Sequence, residues 1–223
     1  MVDTRQAVAG RRSVTALFVL LALAGPAVFV AVVTRLFGNE PTLPITVAIQ
    51  GVYCCLAAAL VRVALRIEHA PVTSLGLKWP TWRTFALAAV LFTLVQFVLP
   101  LITTPLVRLF STAGLEAGIR HIAPWPVWFR LVAALTGGVI EETLYRGYAT
   151  ERLVTLTGSR WIGGALAALG FGLAHIPAWG STFALAADLP FGVLMTFVYV
   201  WRRDLLANIL AHSTALVVAL LSV

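Results

Sequence analysis

A group of five ionisable side chains stands inside apolar runs of this 223-residue sequence, where a charge is costly and therefore needs a reason. Glu141 and Glu142 are adjacent, and Arg146 follows within the same run. His175 ends the next apolar run, and His212 lies within the last one. Carboxylates and imidazoles are the side chains that most often transfer protons in enzymes. The group therefore predicts acid–base chemistry at a membrane-embedded site.

The spacing of the two glutamates predicts different roles for them. On an α-helix, Glu142 and Arg146 share a face with the acid on the N-terminal side, which is the favourable order for an ion pair. Glu141 points about 100° away from Glu142, and Tyr145 is its one candidate partner on the same helix. A carboxylate without a cationic partner is free to accept a proton. We therefore predict that Glu142 is structural and that Glu141 is the base.

The run that ends at His175 carries small residues on one helix face. These residues are Gly164, Ala168 and Gly172. Small residues let transmembrane helices approach closely, so this helix can bring His175 to its neighbours. At about 1.5 Å per residue, Glu141 and His212 lie at similar depths, about 10–15 Å from the cytoplasmic ends of their runs. We expect the glutamate and the two histidines to converge.

Three other chemistries of intramembrane proteases do not fit the sequence. A His-Glu-x-x-His zinc motif is absent. The aspartates, Asp3, Asp188 and Asp204, all stand near the ends of apolar runs rather than as a pair inside the membrane. Ser159 lies in a polar connection, which is a poor setting for a serine nucleophile. Glutamate–histidine chemistry remains.

The elements that position these residues are predicted to be transmembrane helices. Hydrophobic residues make up 60% of the chain and charged residues 11%, whereas an ordinary soluble domain is about 25% charged. Apolar runs of about 18 or more residues predict membrane spans. We predict an all-α, polytopic transmembrane bundle in one membrane domain, 1–223, with seven spans, or eight if a segment near Leu106–Leu115 is partly inserted. The seven are Val14–Val33, Leu43–Val63, Thr84–Leu106, Pro126–Tyr148, Trp161–His175, Thr182–Val200 and Leu205–Val223.

The distribution of Lys and Arg predicts the orientation. With the N-terminus in the cytoplasm, most basic residues fall on or near the inside, as the positive-inside rule requires. These are Arg5, Arg11, Arg12, Arg62, Arg66, Lys78, Arg83, Arg146, Arg152, Arg160, Arg202 and Arg203, against Arg35, Arg108, Arg120 and Arg130 near the outside. The C-terminus is then outside. Topology therefore accounts for the net charge of +7, and we expect the lipid bilayer as a partner and no nucleic acid. Residues 68–81 and 111–124 are expected to be connectors, the second as a loop or a surface helix.

The motifs resemble those of the CAAX-protease and bacteriocin-processing family (CPBP, or Abi), which includes the type II CAAX prenyl proteases. The family signature is Glu-Glu-x-x-x-Arg, then Phe-x-x-x-His, then a His followed four residues later by Asn or Asp. Glu141, Glu142 and Arg146 match the first part, and Phe171 and His175 match the second. His212 matches the third, and the resemblance extends over 126–223, which we take as the catalytic core.

The resemblance implies an intramembrane endopeptidase in which Glu141 activates water with the help of His175. By the same resemblance, His212 stabilises the oxyanion, and Glu142 with Arg146 supports the site. The chemistry is either direct water activation or that of zinc held by Glu141, His175 and His212. The resemblance further implies a membrane-associated peptide or protein substrate, cleavage near the cytoplasmic leaflet, and a place in the bacterial inner membrane.

The third motif departs from the family pattern, because Leu216 occupies the Asn or Asp position. Asn208 lies one turn before His212 on the same helix face and is the first candidate for a substitute amide. Ser213 and Thr214 could supply a hydroxyl instead. Two other functions stay open at this point. One is a non-catalytic membrane scaffold, immunity or regulatory protein, and the other is a small proton-coupled transporter.

Overall fold

A computed structural model describes the backbone of residues 4–38 and 41–223, and side chains from Arg12 onward within these ranges. This part of the chain is helical and contains no strand, so the predicted all-α fold is confirmed. The helices are α1 (Thr4–Phe37), α2 (Leu43–Arg66), α3 (Trp82–Phe110), α4 (Ala113–Ile122), α5 (127–157), α6 (Arg160–Ala174), α7 (Ile176–Arg202) and α8 (Leu205–Leu221). A short 3₁₀ turn, Val72–Leu75, lies between α2 and α3.

Four of the described helices are long and apolar enough to cross a membrane by length and composition: α1 from Arg12 onward, α2, α3 and α7. Shorter apolar helices, α6 and α8, run beside them. The helix α5 has the length of a span but carries more charged residues. The predicted bundle is therefore present, while its number of membrane crossings stays a prediction.

Several helices extend beyond the predicted spans. The helix predicted over Pro126–Tyr148 continues to Thr157, because Thr150, Glu151 and Arg152 find partners inside the bundle. The segment near Leu106–Leu115 is divided between α3, which ends at Phe110, and α4, which begins at Ala113, and its partial insertion stays a prediction. Residues 111–124 contain the helix α4, and a helix was one of the two predicted forms.

Proline and glycine explain where the helices widen, kink or end. Pro100 has no N–H and crowds the preceding turn, and the turn before it is π-helical, with the Leu99 N–H donating to the Leu94 carbonyl at 2.8 Å. Gly158 ends α5 at φ +71°, a left-handed conformation that glycine adopts at little cost. Gly180 breaks the first turns of α7 with φ 77° and ψ 160°. The last two glycines thus set the positions of α6 and α7.

The connections alternate between two ends of the bundle. At one end, Glu68 accepts hydrogen bonds from Thr15, Tyr148 and Arg152, and the Gly76 carbonyl accepts one from the backbone N–H of Leu205. The connection 68–81, expected to be a simple connector, is therefore hydrogen-bonded to three helices, α1, α5 and α8. We call this end, which holds most of the Lys and Arg residues, the basic end. The other end holds α4 and the C-terminus, and we call it the C-terminal end.

The half of the chain that carries the motifs forms the centre of the bundle. All nine residues of Glu142–Thr150 are buried. By contrast, in the most apolar 18-residue stretch of each helix, 17% of the residues are buried in α1, 17% in α2 and 11% in α3, against 44% in α7. The first three helices therefore present most of their surface outward, and the later helices enclose the polar cluster.

Candidate active site

The ion pair predicted between Glu142 and Arg146 is present and fully buried. Arg146 Nη1 lies 3.0 Å from Glu142 Oε1, and both side chains are 0% exposed. The guanidinium also donates to the Gly192 carbonyl at 3.1 Å and to Thr196 Oγ1 at 3.2 Å. Its carbon lies 4.4 Å from the centre of the Phe171 ring. A buried charge is tolerated only when it is paired and hydrogen-bonded, and Arg146 meets both conditions.

In addition to its pair with Arg146, Glu142 accepts hydrogen bonds from two residues of α8. His212 Nδ1 donates to Glu142 Oε1 at 2.8 Å, and Asn208 Nδ2 lies 3.3 Å from Glu142 Oε2. Asn208 Nδ2 also donates to the Met195 carbonyl at 2.9 Å, and the residue is 0% exposed. Its amide N–H groups therefore bond to Glu142 and to α7, and Asn208 does not line the cavity described below. These contacts favour support of Glu142 over the part of a substitute amide, and the role of Asn208 stays a prediction.

The small-residue face of α6 packs closely against α7, as the sequence predicted. A Cβ added at Gly172 would lie 2.8 Å from the Leu189 Cβ, and one at Gly164 would lie 2.9 Å from Val200. His175 follows α6 directly and stands at its junction with α7. The close packing therefore fixes the position from which His175 reaches the centre of the bundle.

Glu141 lies between the two histidines. Its Oε2 atom is 3.7 Å from His175 Nε2 and 3.9 Å from His212 Nε2, and its side chain is 29% exposed. Tyr145, the partner suggested by the helix spacing, makes no hydrogen bond with it. The structure therefore brings the three predicted site residues together, with Glu141 as the one that is free of strong partners.

Hydrogen bonds at the far side of each ring fix which nitrogen faces Glu141. His175 Nδ1 lies 2.7 Å from the Phe171 carbonyl, which can only accept, so Nδ1 carries the proton of a neutral ring. His212 Nδ1 faces the Glu142 carboxylate, which accepts from Arg146 and is likewise an acceptor. In their neutral forms, both rings therefore present the lone pair of Nε2 towards Glu141.

A cavity of about 220 Å³ opens beside Glu141 and His175. Side chains of the first two helices form part of its wall, although these helices carry no family motif. The lining residues from α1 and α2 are Pro26, Val30, Gln50 and Tyr53. Tyr145 and Trp179 complete the aromatic part of the wall. The cavity is thus apolar with a few polar groups, as is usual for a binding site.

The candidate zinc ligands are Glu141 Oε2 and the Nε2 atoms of His175 and His212. Two imidazole nitrogens and a carboxylate oxygen are donors that zinc accepts, but neighbouring ligands of tetrahedral zinc are about 3.3 Å apart when the bonds are about 2.0–2.1 Å long. The separations here, 3.7 and 3.9 Å, are wider. Among the described residues, no group of three or more His, Cys, Asp and Glu side chains is placed to hold a metal ion. A zinc ion therefore does not fit this arrangement without movement.

The cavity lies between the two ends of the bundle. Glu141 is near the middle of α5, and His212 is seven residues, or about 10 Å, from the start of α8 at the basic end. The cavity also touches Trp179, which packs against Gly114 and Gly118 of α4. The depth of the site in the membrane and cleavage near the cytoplasmic leaflet stay predictions.

Four residues around the site were not identified from the sequence as site residues. Gln50 and Tyr53 stand in an apolar run without a motif, so nothing marked them. Trp179 stands one turn after His175, and that spacing alone could have indicated it. Asp188 was dismissed as a span-end aspartate, but it lies within electrostatic reach of His175, Glu141 and His212.

The third motif has leucine at position 216, where the family has Asn or Asp. Neither Ser213 nor Thr214 replaces the missing amide with a hydrogen-bond donor to the cavity. Ser213 donates to the Leu135 carbonyl at 3.3 Å, and Thr214 donates to the Leu210 carbonyl at 2.7 Å on an exposed face. Leu216 packs beside Gly137, which lines the cavity. Each hydroxyl is thus already committed to a backbone carbonyl.

Comparison with known proteins agrees with the site geometry. Residues 123–218 match the family model described as type II CAAX prenyl endopeptidase Rce1-like. The match contains the whole Glu141 cluster and begins three residues before the predicted catalytic core. No curated protein and no solved structure gave a match to the chain. The resemblance predicted from the motifs is thus confirmed over residues 123–218, which are similar to the Rce1-like type II CAAX prenyl endopeptidases.

Proposed function

We propose that the protein is an intramembrane endopeptidase that hydrolyses a peptide bond of a membrane-associated substrate with a water activated by Glu141. The observation that carries this proposal is the position of the Glu141 carboxylate, 3.7 and 3.9 Å from two imidazole nitrogens at the edge of a cavity. Polar atoms at such separations are suited to sharing a bridging water. The family match to residues 123–218 supports the same reaction.

The chemical steps follow from the side chains present. A water between Glu141 and His175 gives one proton to the carboxylate as its oxygen bonds to the carbonyl carbon of the peptide. The carbonyl oxygen then carries the negative charge. When the C–N bond breaks, Glu141 returns its proton to the departing nitrogen, so that the products are a carboxylic acid, which ionises, and an amine. A positioned acid–base group of this kind typically contributes a factor of about 10²–10⁴ in rate.

The second glutamate supports the first. Arg146 neutralises Glu142, and Glu142 orients His212 through Nδ1. His212 can donate to the oxyanion from Nε2 only as an imidazolium, because a neutral ring uses its proton on Glu142. We therefore assign Glu142, Arg146 and Asn208 to the support of the site, and oxyanion stabilisation to the protonated form of His212. Zinc bound by Glu141, His175 and His212 stays a separate prediction, and metal analysis of purified protein tests it.

The substrate class follows from the family and from the setting. We propose a membrane-associated peptide or protein, with prenylated C-terminal sequences as the first class to test, and a location in the bacterial inner membrane with the N-terminus in the cytoplasm. A scaffold would need no free carboxylate beside a cavity. A proton-coupled transporter would need a path through the bundle, which the buried Glu142–Arg146 pair and its partners fill on the basic side of Glu141.

The experiment compares the termini of all membrane proteins in cells that carry the wild type or Glu141→Gln. This substitution keeps the shape of the side chain and removes the base. We expect a set of cleaved termini to disappear in Glu141→Gln while the amount of folded protein is unchanged. Identical termini in the two strains would refute the proposed function, and a scaffold would then be the better assignment.

A further inference from the structure

Buried polar atoms without a partner gather at the candidate active site. Among the described side chains, three such atoms occur: the Tyr145 hydroxyl, Asp188 Oδ2 and Asn208 Oδ1. Asn208 holds Glu142, Asp188 is in electrostatic reach of His175, and Tyr145 lines the cavity. Native proteins leave few buried polar groups unpaired, and each one needs an explanation. Their location at one place points to a function.

Tyr145 is the clearest case, because it is the one of the three that lines the cavity. Its side chain is 1% exposed, and no described protein group accepts a hydrogen bond from its hydroxyl. The ring packs edge-to-face against Phe171, with centroids 5.1 Å apart and planes at 80°. The ring is thus held firmly, and the direction of the hydroxyl is set by the fold.

Other tyrosines of the bundle show that a buried hydroxyl normally finds a protein acceptor here. Tyr53 donates to the Pro26 carbonyl, Tyr148 to Glu68, and Tyr199 to the Leu75 carbonyl and to Glu151. The Tyr145 hydroxyl has no such acceptor among the described residues, and its residue lines the cavity, so a polar group of a substrate in the cavity is the candidate acceptor.

The proposed reaction lacks a donor that Tyr145 would supply. Glu141 and the two Nε2 atoms of the neutral histidines are acceptors, whereas the carbonyl oxygen of a substrate needs donors as it becomes negative. Gln50, another polar group of the wall, donates from its amide to Thr136. The phenol lies in electrostatic reach of Glu141 without a hydrogen bond to it, so its proton is not used by the base.

We propose that Tyr145 is a catalytic residue whose hydroxyl donates a hydrogen bond to the carbonyl oxygen of the scissile peptide bond. This inference rests on the proposed endopeptidase function. The hydroxyl acts whether His212 is protonated or neutral, and it occupies the role that an amide at position 216 would otherwise have. No proton leaves the phenol, since the hydrogen bond strengthens as charge develops on the oxygen and weakens when the C–N bond breaks.

The test is Tyr145→Phe, which removes one oxygen and keeps the ring on Phe171. We expect turnover to fall about a hundredfold, the usual effect of removing one oxyanion donor, while thermal stability is unchanged or higher because an unpaired buried polar group has gone. Tyr148→Phe is the matched control. It removes a buried hydroxyl that bonds to Glu68 at 2.8 Å, so stability should fall and turnover per folded molecule should stay the same.

Membrane-protein termini are compared in four strains, carrying wild type, Glu141→Gln, Tyr145→Phe and Tyr148→Phe. Turnover rates are then measured in liposomes on a peptide that spans a cleavage site found in this way. Termini lost in Glu141→Gln and strongly reduced only in Tyr145→Phe support the inference. If Tyr145→Phe cleaves at the wild-type rate while Glu141→Gln is inactive, the role of Tyr145 is wrong and the endopeptidase stands. If wild type and Glu141→Gln give the same termini, both proposals fall.

Discussion

Replacement of Arg146 by Ala should destabilise the protein far more than replacement of Glu141 by Ala. Arg146 is fully buried and bonds to Glu142, the Gly192 carbonyl and Thr196. Its removal leaves Glu142 as a buried carboxylate without its cation, and breaking a buried pair in this way costs about 3–5 kcal/mol. At about 2–4 °C per kcal/mol for a chain of this length, the melting temperature should fall by roughly 6–20 °C.

The expected effect at Glu141 is much smaller. Its side chain is 29% exposed, and its two polar neighbours lie at 3.7 and 3.9 Å, beyond normal hydrogen-bond length. Truncation therefore removes no strong bond, and a change within about 1 kcal/mol is expected, as for substitutions outside buried networks. Both effects are measured as thermal unfolding in detergent by size-exclusion chromatography of heated samples.

A third variant keeps the comparison informative if Arg146→Ala does not fold at all. Arg146→Lys keeps the charge but loses the planar fork that reaches three acceptors. We expect its melting temperature to lie between those of the wild type and Arg146→Ala. Equal melting temperatures for the Ala variants at positions 146 and 141 would refute the division of the two glutamates into a support and a base.

Three further predictions concern topology, the support of Glu142 and the cavity wall. Single cysteines at positions 74 and 223, in a background without native cysteines, should be labelled from opposite sides of the membrane, the first from the cytoplasm; labelling from one side would exclude seven crossings. Asn208→Leu should lower the free energy of unfolding by about 1–3 kcal/mol, because it removes the amide donor that serves Glu142 Oε2 and the Met195 carbonyl; an unchanged melting temperature would contradict this. Gly118→Leu should displace Trp179 and reduce turnover on the peptide assayed in liposomes, whereas Gly51→Leu, at a helical glycine of α2 with no neighbour within 4 Å, should not.

The convergence of the site could be predicted because the rules that govern it are local. Four-residue spacing pairs Glu142 with Arg146, small residues on α6 allow contact with α7, and each intramembrane charge demands a partner. These rules act over one or two turns and can be read from residue types. They predict that Glu141, His175 and His212 form one cluster.

Features that depend on long-range packing could not be predicted in the same way. The role of Glu68 requires Tyr148 and Arg152, which are 80 and 84 residues away along the chain. The π-helical stretch Glu142–Thr150 is not followed by a proline that would indicate it in the sequence, whereas Pro100 follows the other π-helical stretch. Asn208 shares a helix face with His212, but its amide contacts Glu142. The end of α5 is likewise set by partners that are distant in the sequence.

The outward-facing position of the first three helices has a consequence for how this protein can change over evolutionary time. A side chain that faces lipid has to be apolar, but it does not have to fit a particular neighbour, so substitutions there accumulate with little penalty. Side chains around Glu142 and Arg146 have fixed partners and cannot drift in this way. Relatives should therefore be recognisable by the inner helices, in agreement with a family match that begins at residue 123. The exceptions to look for are Gln50 and Tyr53, which face the cavity from within the otherwise freely varying part.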